Sequence, residues 1–237
     1  MKNFIFTFLL FSIGCSPIVT LHPLSENKND YIFKKELMGE WKETKEGSSS
    51  IFVDTVTSAE GPVYHIFMKD DIDLNFGPKS FKNKFWFFAR IIKLDRDTYL
   101  DIWFDVNHLN IDTINQTSYN HETINSDPLL YPGHQIIQIQ IIDPTHITYS
   151  MIDGNKLYNL IKSKKVNLNF SKVKSASSIL GESYLIYNES KQLQAFFRQV
   201  NNFGLFDSKK ELMHKVSEER IYSVYESEPY IKPYKKQ

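Results

Sequence analysis

Apolar and polar positions alternate with a period of two through much of this chain, which is typical of β-strands that bury one face. The clearest case is residues 135–142, where Ile137, Ile139 and Ile141 are separated by glutamines. β-Branched and aromatic runs bounded by turn residues predict further strands at 50–56, 63–69, 84–94, 98–104 and 146–152. The turn residues 95–97 and 143–144 join four of these strands into two predicted hairpins.

The apolar spacing changes to a helical period after the last of these hairpins. Leu193, Phe196, Phe197 and Val200 are spaced i, i+3, i+4 and i+7, which predicts a helix over 189–201. We expect four less marked elements: a weak strand within 111–120, a helix over 155–165, a strand over 183–187, and a helix or closing strand over 209–220.

These elements predict a single β-rich domain of the all-β to α+β class. The main sheet is antiparallel, with about seven to nine strands, followed by two short helices. Because a sheet of that size leaves exposed edges when flat, we expect a barrel or a strongly curled sheet.

The N-terminus carries a targeting signal. A positively charged start precedes a ten-residue apolar run, residues 4–13, which is about half the length of a membrane-spanning helix. Gly14 and Cys15, the only cysteine in the chain, follow directly. This arrangement resembles a bacterial lipoprotein signal, which is cut before the cysteine and diacylated on its thiol. The predicted organisation is a signal peptide (1–14), a polar tether (15–33), one β-rich domain (34–222) and an exposed tail (223–237).

Two motifs after the cysteine carry a further resemblance. Leu21-His22-Pro23-Leu24 and Leu37-x-Gly39-x-Trp41 are similar to the mature ends of a set of bacterial lipoproteins, a family that implies no established activity. Gly39-x-Trp41 also resembles the start of lipocalins, in which the tryptophan closes the base of the barrel. The resemblance implies a lipocalin-like barrel in which Gly39 and Trp41 are structural.

Charge and motif content narrow the function classes. The chain has 28 basic and 28 acidic residues, a balance that argues against a nucleic-acid partner. The seven histidines include no pair three to five residues apart, so no local zinc motif exists, and no nucleophile or phosphate-binding motif occurs. We therefore predict no catalytic residue, no metal and no cofactor.

Aromatic residues concentrate in residues 85–88 and in the neighbouring strand at 99–104. If alternation turns half of them inward, they line a barrel cavity for an apolar ligand, and the candidate lining residues are Trp86, Phe88 and Trp103. Otherwise they form core or an exposed partner patch.

These features favour a non-enzymatic binding or envelope-interaction lipoprotein, located in the cell envelope and facing the periplasm or the exterior from the outer membrane. Its expected partners are the bilayer, through acylated Cys15, and a small apolar ligand or an envelope protein. Two alternatives stay open: a lipocalin-like carrier of an apolar ligand, and an enzyme whose site combines His65, His134 and nearby carboxylates.

The anchor is tested by replacing its thiol. Wild-type protein is expected in the detergent phase of a Triton X-114 partition, because two acyl chains give stable membrane association. The Cys15→Ala protein is expected in the aqueous phase, and its retention in detergent would exclude the anchor.

Overall fold

The computed structural model describes residues 18–44, 50–58, 61–68, 86–104, 133–174, 182–206 and 210–218. In chain order the elements are β1 (Ile18–Thr20), β2 (Tyr31–Ile32), β3 (Gly39–Glu43), β4 (Ser50–Ser58), β5 (Gly61–Met68), β6 (Trp86–Leu94), β7 (Asp97–Phe104), β8 (His134–Asp143), β9 (His146–Ser150), α1 (Gly154–Lys162), β10 (Phe170–Lys174), β11 (Glu182–Ile186), α2 (Ser190–Phe197) and β12 (Glu211–Ser217). Neither helix has the length and apolarity that crossing a bilayer would need.

Eight of the strands close into an antiparallel barrel in the order β3-β4-β5-β6-β7-β8-β9-β12, with β12 returning to β3. The predicted fold class, a lipocalin-like barrel followed by two short helices, is confirmed. The segment 209–220, for which a helix and a closing strand were both open, contains the closing strand. The signal peptide, the strand expected within 111–120 and the tail at 223–237 lie outside the described residues.

Strand β8 is shared between the barrel and a smaller extension. One edge of β8 pairs with β7, while its other edge pairs with β9 from Gln138 onward and with β1 at His134. Strand β1 continues the sheet outward, because it runs parallel to β11, which in turn pairs with β10.

The barrel interior is filled by apolar side chains. Ile137 and Ile139 of β8 are buried there with Ile141 packed against them, which confirms the face that the period of two predicts. At the end of β3, the Glu43 carboxylate accepts a hydrogen bond from the hydroxyl of Tyr149 in β9. Burial and this bond raise the pKa of Tyr149. The buried members of the interior cluster are Leu37, Trp41, Tyr64, Ile66, Ala89, Ile91, Ile102, Ile137, Ile139 and Met213.

The helices cover part of the outer face of β6–β8 and form a second core. Asp153 begins α1 by accepting a hydrogen bond from the backbone N–H of Lys156 at 3.0 Å. The hydroxyl of Tyr99, on the outside of β7, donates to the carbonyl of Phe197 in α2 at 3.1 Å. Leu157 of α1 and Leu193 of α2 are buried in the same cluster.

The base of the barrel is closed by the segment that leads into β3. The Trp41 side chain is 1% exposed, and its indole N–H donates to the Leu37 carbonyl at 2.7 Å. Tyr64 accepts from the backbone N–H of Lys34 at 2.6 Å and donates to its carbonyl at 3.1 Å. Gly39 has φ +127°, and a Cβ there would lie 2.4 Å from the Ser217 carbonyl oxygen, so only glycine lets β3 and the end of β12 approach.

The tether prediction for residues 15–33 is wrong from residue 18 onward. Ile18–Thr20 form the buried strand β1, and Leu24 is 0% exposed. The segment can dock because residue 133 is glycine: a Cβ there would lie 2.3 Å from Val19 Cγ1. Polar residues and prolines suggested solvent exposure, but the few apolar positions between them are the ones that pack.

Truncation of Trp41 should destabilise the whole domain. We expect Trp41→Ala to lower the free energy of unfolding by about 3–5 kcal/mol, because a large buried ring leaves a cavity at the base. Urea denaturation measures the change. Ile142→Ala, at a position 55% exposed, is the control and should cost much less; equal losses would mean that Trp41 does not hold the base together.

Tyr64 makes the base sensitive to alkali. Burial raises the pKa of Tyr64 from 10.0 to about 12. A raised pKa means that the folded state favours the neutral phenol, so its stabilisation is complete below pH 10 and is lost as the pH rises from 10 to 12. Tyr64→Phe should be less stable than wild type by about 1 kcal/mol at neutral pH. That difference should shrink above pH 10 in denaturation curves, and a constant difference would contradict the assignment.

Candidate functional site

A row of polar and aromatic residues crosses the outer face of the barrel. Asp54, His65, Phe88, Trp103 and His134 are successive register partners on strands β4 to β8; we call them the outer row. Ring centroids are 4.6 Å apart for His65 and Phe88, 5.9 Å for Phe88 and Trp103, and 5.6 Å for Trp103 and His134. Aromatic rings therefore separate the two histidines.

The prediction that Phe88 and Trp103 line the barrel interior is wrong. Their strand neighbours Phe87 and Ile102 belong to the interior cluster, so alternation places Phe88 and Trp103 outside. The side chain of Trp86, the third candidate, lies outside the described residues. The direction of alternation was not readable from the sequence, because every position from 85 to 88 is aromatic.

Asp101 attaches the N-terminal segment to the barrel at one end of the outer row. Its carboxylate is buried, with a residue exposure of 2%. One oxygen lies 2.7 Å from Nδ1 of His134, and the other accepts the backbone N–H of Leu24 at 2.8 Å. Both oxygens of this buried group therefore have partners, as buried carboxylates require.

Arg90 joins the same region to β2. Its guanidinium lies 4.7 Å from the ring centroid of Tyr31 and 5.4 Å from that of Trp103, and Nη1 donates to the Tyr31 hydroxyl at 3.2 Å. The two ring contacts are cation–π interactions, and together with the hydrogen bond they hold these side chains in place. The end of the outer row at Trp103 and His134 is therefore explained by the docking of residues 20–32.

The outer row does not bring its acid–base groups into one site. His65 is beside Asp54, and His134 is beside Asp101, but Phe88 and Trp103 lie between the two pairs. Within the described ranges, no group of three or more His, Cys, Asp or Glu side chains is arranged to hold a metal ion.

A groove of about 340 Å³ lies on the helical side of the molecule, outside the barrel. It opens between the turn after α1, the start of β10 and one face of α2. Among the described residues, its lining consists of Lys165, Val166, Asn167, Asn169, Asn188, Gln192, Ala195, Phe196, Gln199 and Phe203.

Amide side chains give the groove its chemistry. Buried Asn188 holds the wall together: its Oδ1 accepts the backbone N–H of Asn169 at 2.6 Å, and its Nδ2 donates to Gln192 Oε1 at 2.9 Å. Phe196 and Phe203 stack with centroids 6.4 Å apart. Each amide carries both donors and acceptors, and Lys165 is the one charged side chain among these lining residues, so the wall suits a ligand rich in polar groups.

The groove is not among the sites that the sequence predicts. Residues 192, 195, 196 and 199 have helical spacing, so one face of the predicted helix does carry the signal. The apolar stripe of the same helix, with Leu193 and Phe197, lies on the adjacent, buried face and includes Phe196, which also lines the groove. The second wall, residues 165–169, is too distant in sequence for a pattern to connect the two.

Fold and groove together define a lipocalin-like antiparallel barrel with a helical layer that carries an open, amide-lined groove on its outside. No family model, curated protein or solved structure matches this chain.

Removal of the Asp101 carboxylate should release the N-terminal segment. We expect Asp101→Ala to cost about 2–3 kcal/mol of folding free energy, because the Leu24 N–H and the His134 ring lose a buried acceptor. Urea denaturation gives the loss, and limited proteolysis should cut residues 18–32 faster. The control is Glu189→Ala, an exposed carboxylate whose side chain makes no cap bond. An unchanged cleavage rate at 18–32 would argue against this attachment.

Proposed function

We propose that this protein is a non-enzymatic, lipid-anchored binding protein of the cell envelope that holds an oligosaccharide in the groove beside α2. The carrying observation is the groove itself: about 340 Å³ of space walled by uncharged amides and two stacked rings. Its volume falls in the usual range of ligand sites, about 300–1,000 Å³.

An oligosaccharide matches the chemistry of the wall. Hydroxyl and acetamido groups both donate and accept hydrogen bonds, as the amides of Asn167, Gln192 and Gln199 do. The apolar face of a sugar ring fits against an aromatic ring such as Phe203. Lys165, at one side of the groove, suits an acidic substituent on the same chain.

The packed barrel argues against the alternative of an apolar carrier. Side chains that would face such a ligand, such as Trp41, Ile91 and Ile137, are instead buried against one another. The groove outside the barrel is much larger than a second cavity, of about 10 Å³, at the junction of β1 and β8.

The enzyme alternative has less support than binding. Its two candidate histidines, His65 and His134, each have an acidic neighbour, but the pairs are held apart by Phe88 and Trp103. A shared site would need them to converge on one reacting group.

The envelope location in this proposal comes from the acyl anchor expected at Cys15. Diacylation would place the domain at a membrane surface that faces cell-wall and surface glycans. The barrel then serves as a rigid support for the groove on its outside.

The test uses a tetrasaccharide of N-acetylglucosamine as the probe. Added to isotopically labelled protein, it should shift the NMR signals of Asn167, Gln192 and Gln199. Ala195→Arg should weaken this binding at least tenfold, because the longer side chain fills the groove while arginine remains a good helix former. Lys191→Arg, which places arginine on α2 outside the groove, is the matched control and should bind like wild type.

Two outcomes would overturn the assignment. Shifts that appear with an alanine tetrapeptide but not with the sugar would make the groove a peptide site. Equal binding by wild type and Ala195→Arg would place the sugar elsewhere.

A further inference from the structure

Positive charge is concentrated on one part of the helical layer. Residues 154–181 contain six lysines and no acidic residue, although the whole chain has 28 basic and 28 acidic residues. Four of these lysines, Lys162, Lys164, Lys165 and Lys172, have exposed side chains on the end of α1, the turn after it and β10. We call these four residues the lysine face.

The lysine face is assembled around a stack of tyrosines. Tyr158 of α1 stacks on Tyr184 of β11 with centroids 5.4 Å apart. The Nζ atoms of Lys162 and Lys172 lie 6.0 and 5.7 Å from the centre of the Tyr158 ring. The end of α1 and the strand β10 therefore bring their charges to one place.

Lys164 occupies a backbone position that lysine does not favour. Its φ is +58°, in the left-handed region just past the end of α1, where glycine or asparagine is the usual residue. Its N–H bonds to the Ile161 carbonyl at 2.9 Å, as a helix-ending turn requires. A lysine in this conformation lowers the stability of the folded state compared with glycine, which suggests that its charge has a function.

The lysine face is close to the expected acyl anchor. Ile18 of β1, Tyr184 of β11 and Lys172 of β10 are register partners on three adjacent strands. At about 4.8 Å per strand spacing, the Cα atoms of Ile18 and Lys172 are about 10 Å apart. Cys15 is three residues before Ile18, so it reaches at most about 10 Å beyond it.

We propose that the lysine face docks on the anionic phospholipid headgroups of the bilayer that receives the acyl chains of Cys15. This docking rests on the proposed lipid anchor, and it gives the domain a fixed orientation. Because β1 begins directly after the anchor, the adjacent face lies at headgroup level, where lysines attract anionic lipid over about a Debye length, 8 Å at physiological salt.

Docking through the lysine face would also fix the position of the groove relative to the membrane. Lys165 belongs to the lysine face and lines the groove, so the groove opens beside the membrane surface. A glycan presented by the membrane would meet it there.

The experiment measures docking without the acyl chains. Mature protein carrying Cys15→Ala is mixed at low salt with vesicles of phosphatidylcholine containing about 30% phosphatidylglycerol, and binding is followed by co-sedimentation. We expect binding that disappears at high salt and on pure phosphatidylcholine. The triple variant Lys162→Gln, Lys164→Asn, Lys172→Gln should bind at least tenfold more weakly, because each lysine at an anionic surface contributes a factor of about five.

A matched variant controls for net charge. Lys28→Gln, Lys35→Gln, Lys93→Gln removes the same three charges from exposed positions away from the lysine face and should bind like the parent. Lys164→Asn alone should leave the thermal midpoint unchanged or raised, since asparagine tolerates the left-handed conformation, so weaker binding by that variant is not a folding defect.

Three results would overturn the docking proposal. These are equal losses in the two triple variants, equal binding to both vesicle types, and binding to lipopolysaccharide micelles without binding to the vesicles. The result of this experiment does not depend on the proposed groove or on the proposed anchor. The triple variant keeps Lys165, which lines the groove, and the parent protein carries no acyl chain.

Discussion

The architecture depends on how the two hydrogen-bonding edges of β8 are shared among its neighbouring strands. This ten-residue strand pairs with β7 on one side, and its other side is divided between β9 and β1. The pairing with β9 closes the barrel, and the pairing with β1 at His134 begins the outward extension to β11 and β10. One strand thereby joins the closed barrel to the open layer that carries both proposed binding surfaces. Gly133, just before β8, is the residue that makes room for β1.

An eight-stranded barrel has an interior only just wide enough for its own side chains or for one small ligand. Here isoleucines, Trp41 and Tyr64 occupy that space. Under the proposed function, ligand binding therefore takes place outside the barrel. There α1, β10 and α2, which are not barrel elements, leave a groove between them. The amide groove and the lysine face both lie in this added layer and share Lys165, so their ligands would be presented from the same side.

How far the sequence predicts this structure depends on whether neighbouring residues along a strand differ in polarity. In 135–142 glutamines separate the isoleucines, so both strand and inward face are readable. In 85–88 all residues are aromatic, so the strand is readable but its inward face is not, and Phe88 was assigned to the wrong side. The docking of residues 18–32 and the groove were missed for a different reason. Both depend on contacts between distant segments, such as Leu24 with Asp101, which no local pattern contains.

The neighbouring positions of the first and last barrel strands have a kinetic consequence. Trp41 of β3 is the register partner of Lys215 of β12, and Ile18 of β1 is that of Tyr184 of β11. The barrel cannot close until β12 has been made, up to Ser217, and the extension cannot form until β11 has been made, up to Ile186. Folds dominated by such non-local pairings reach the native state slowly, in about milliseconds to seconds. The chain is therefore still unfolded when most of it has been made, and its apolar strands are exposed to aggregation during that interval.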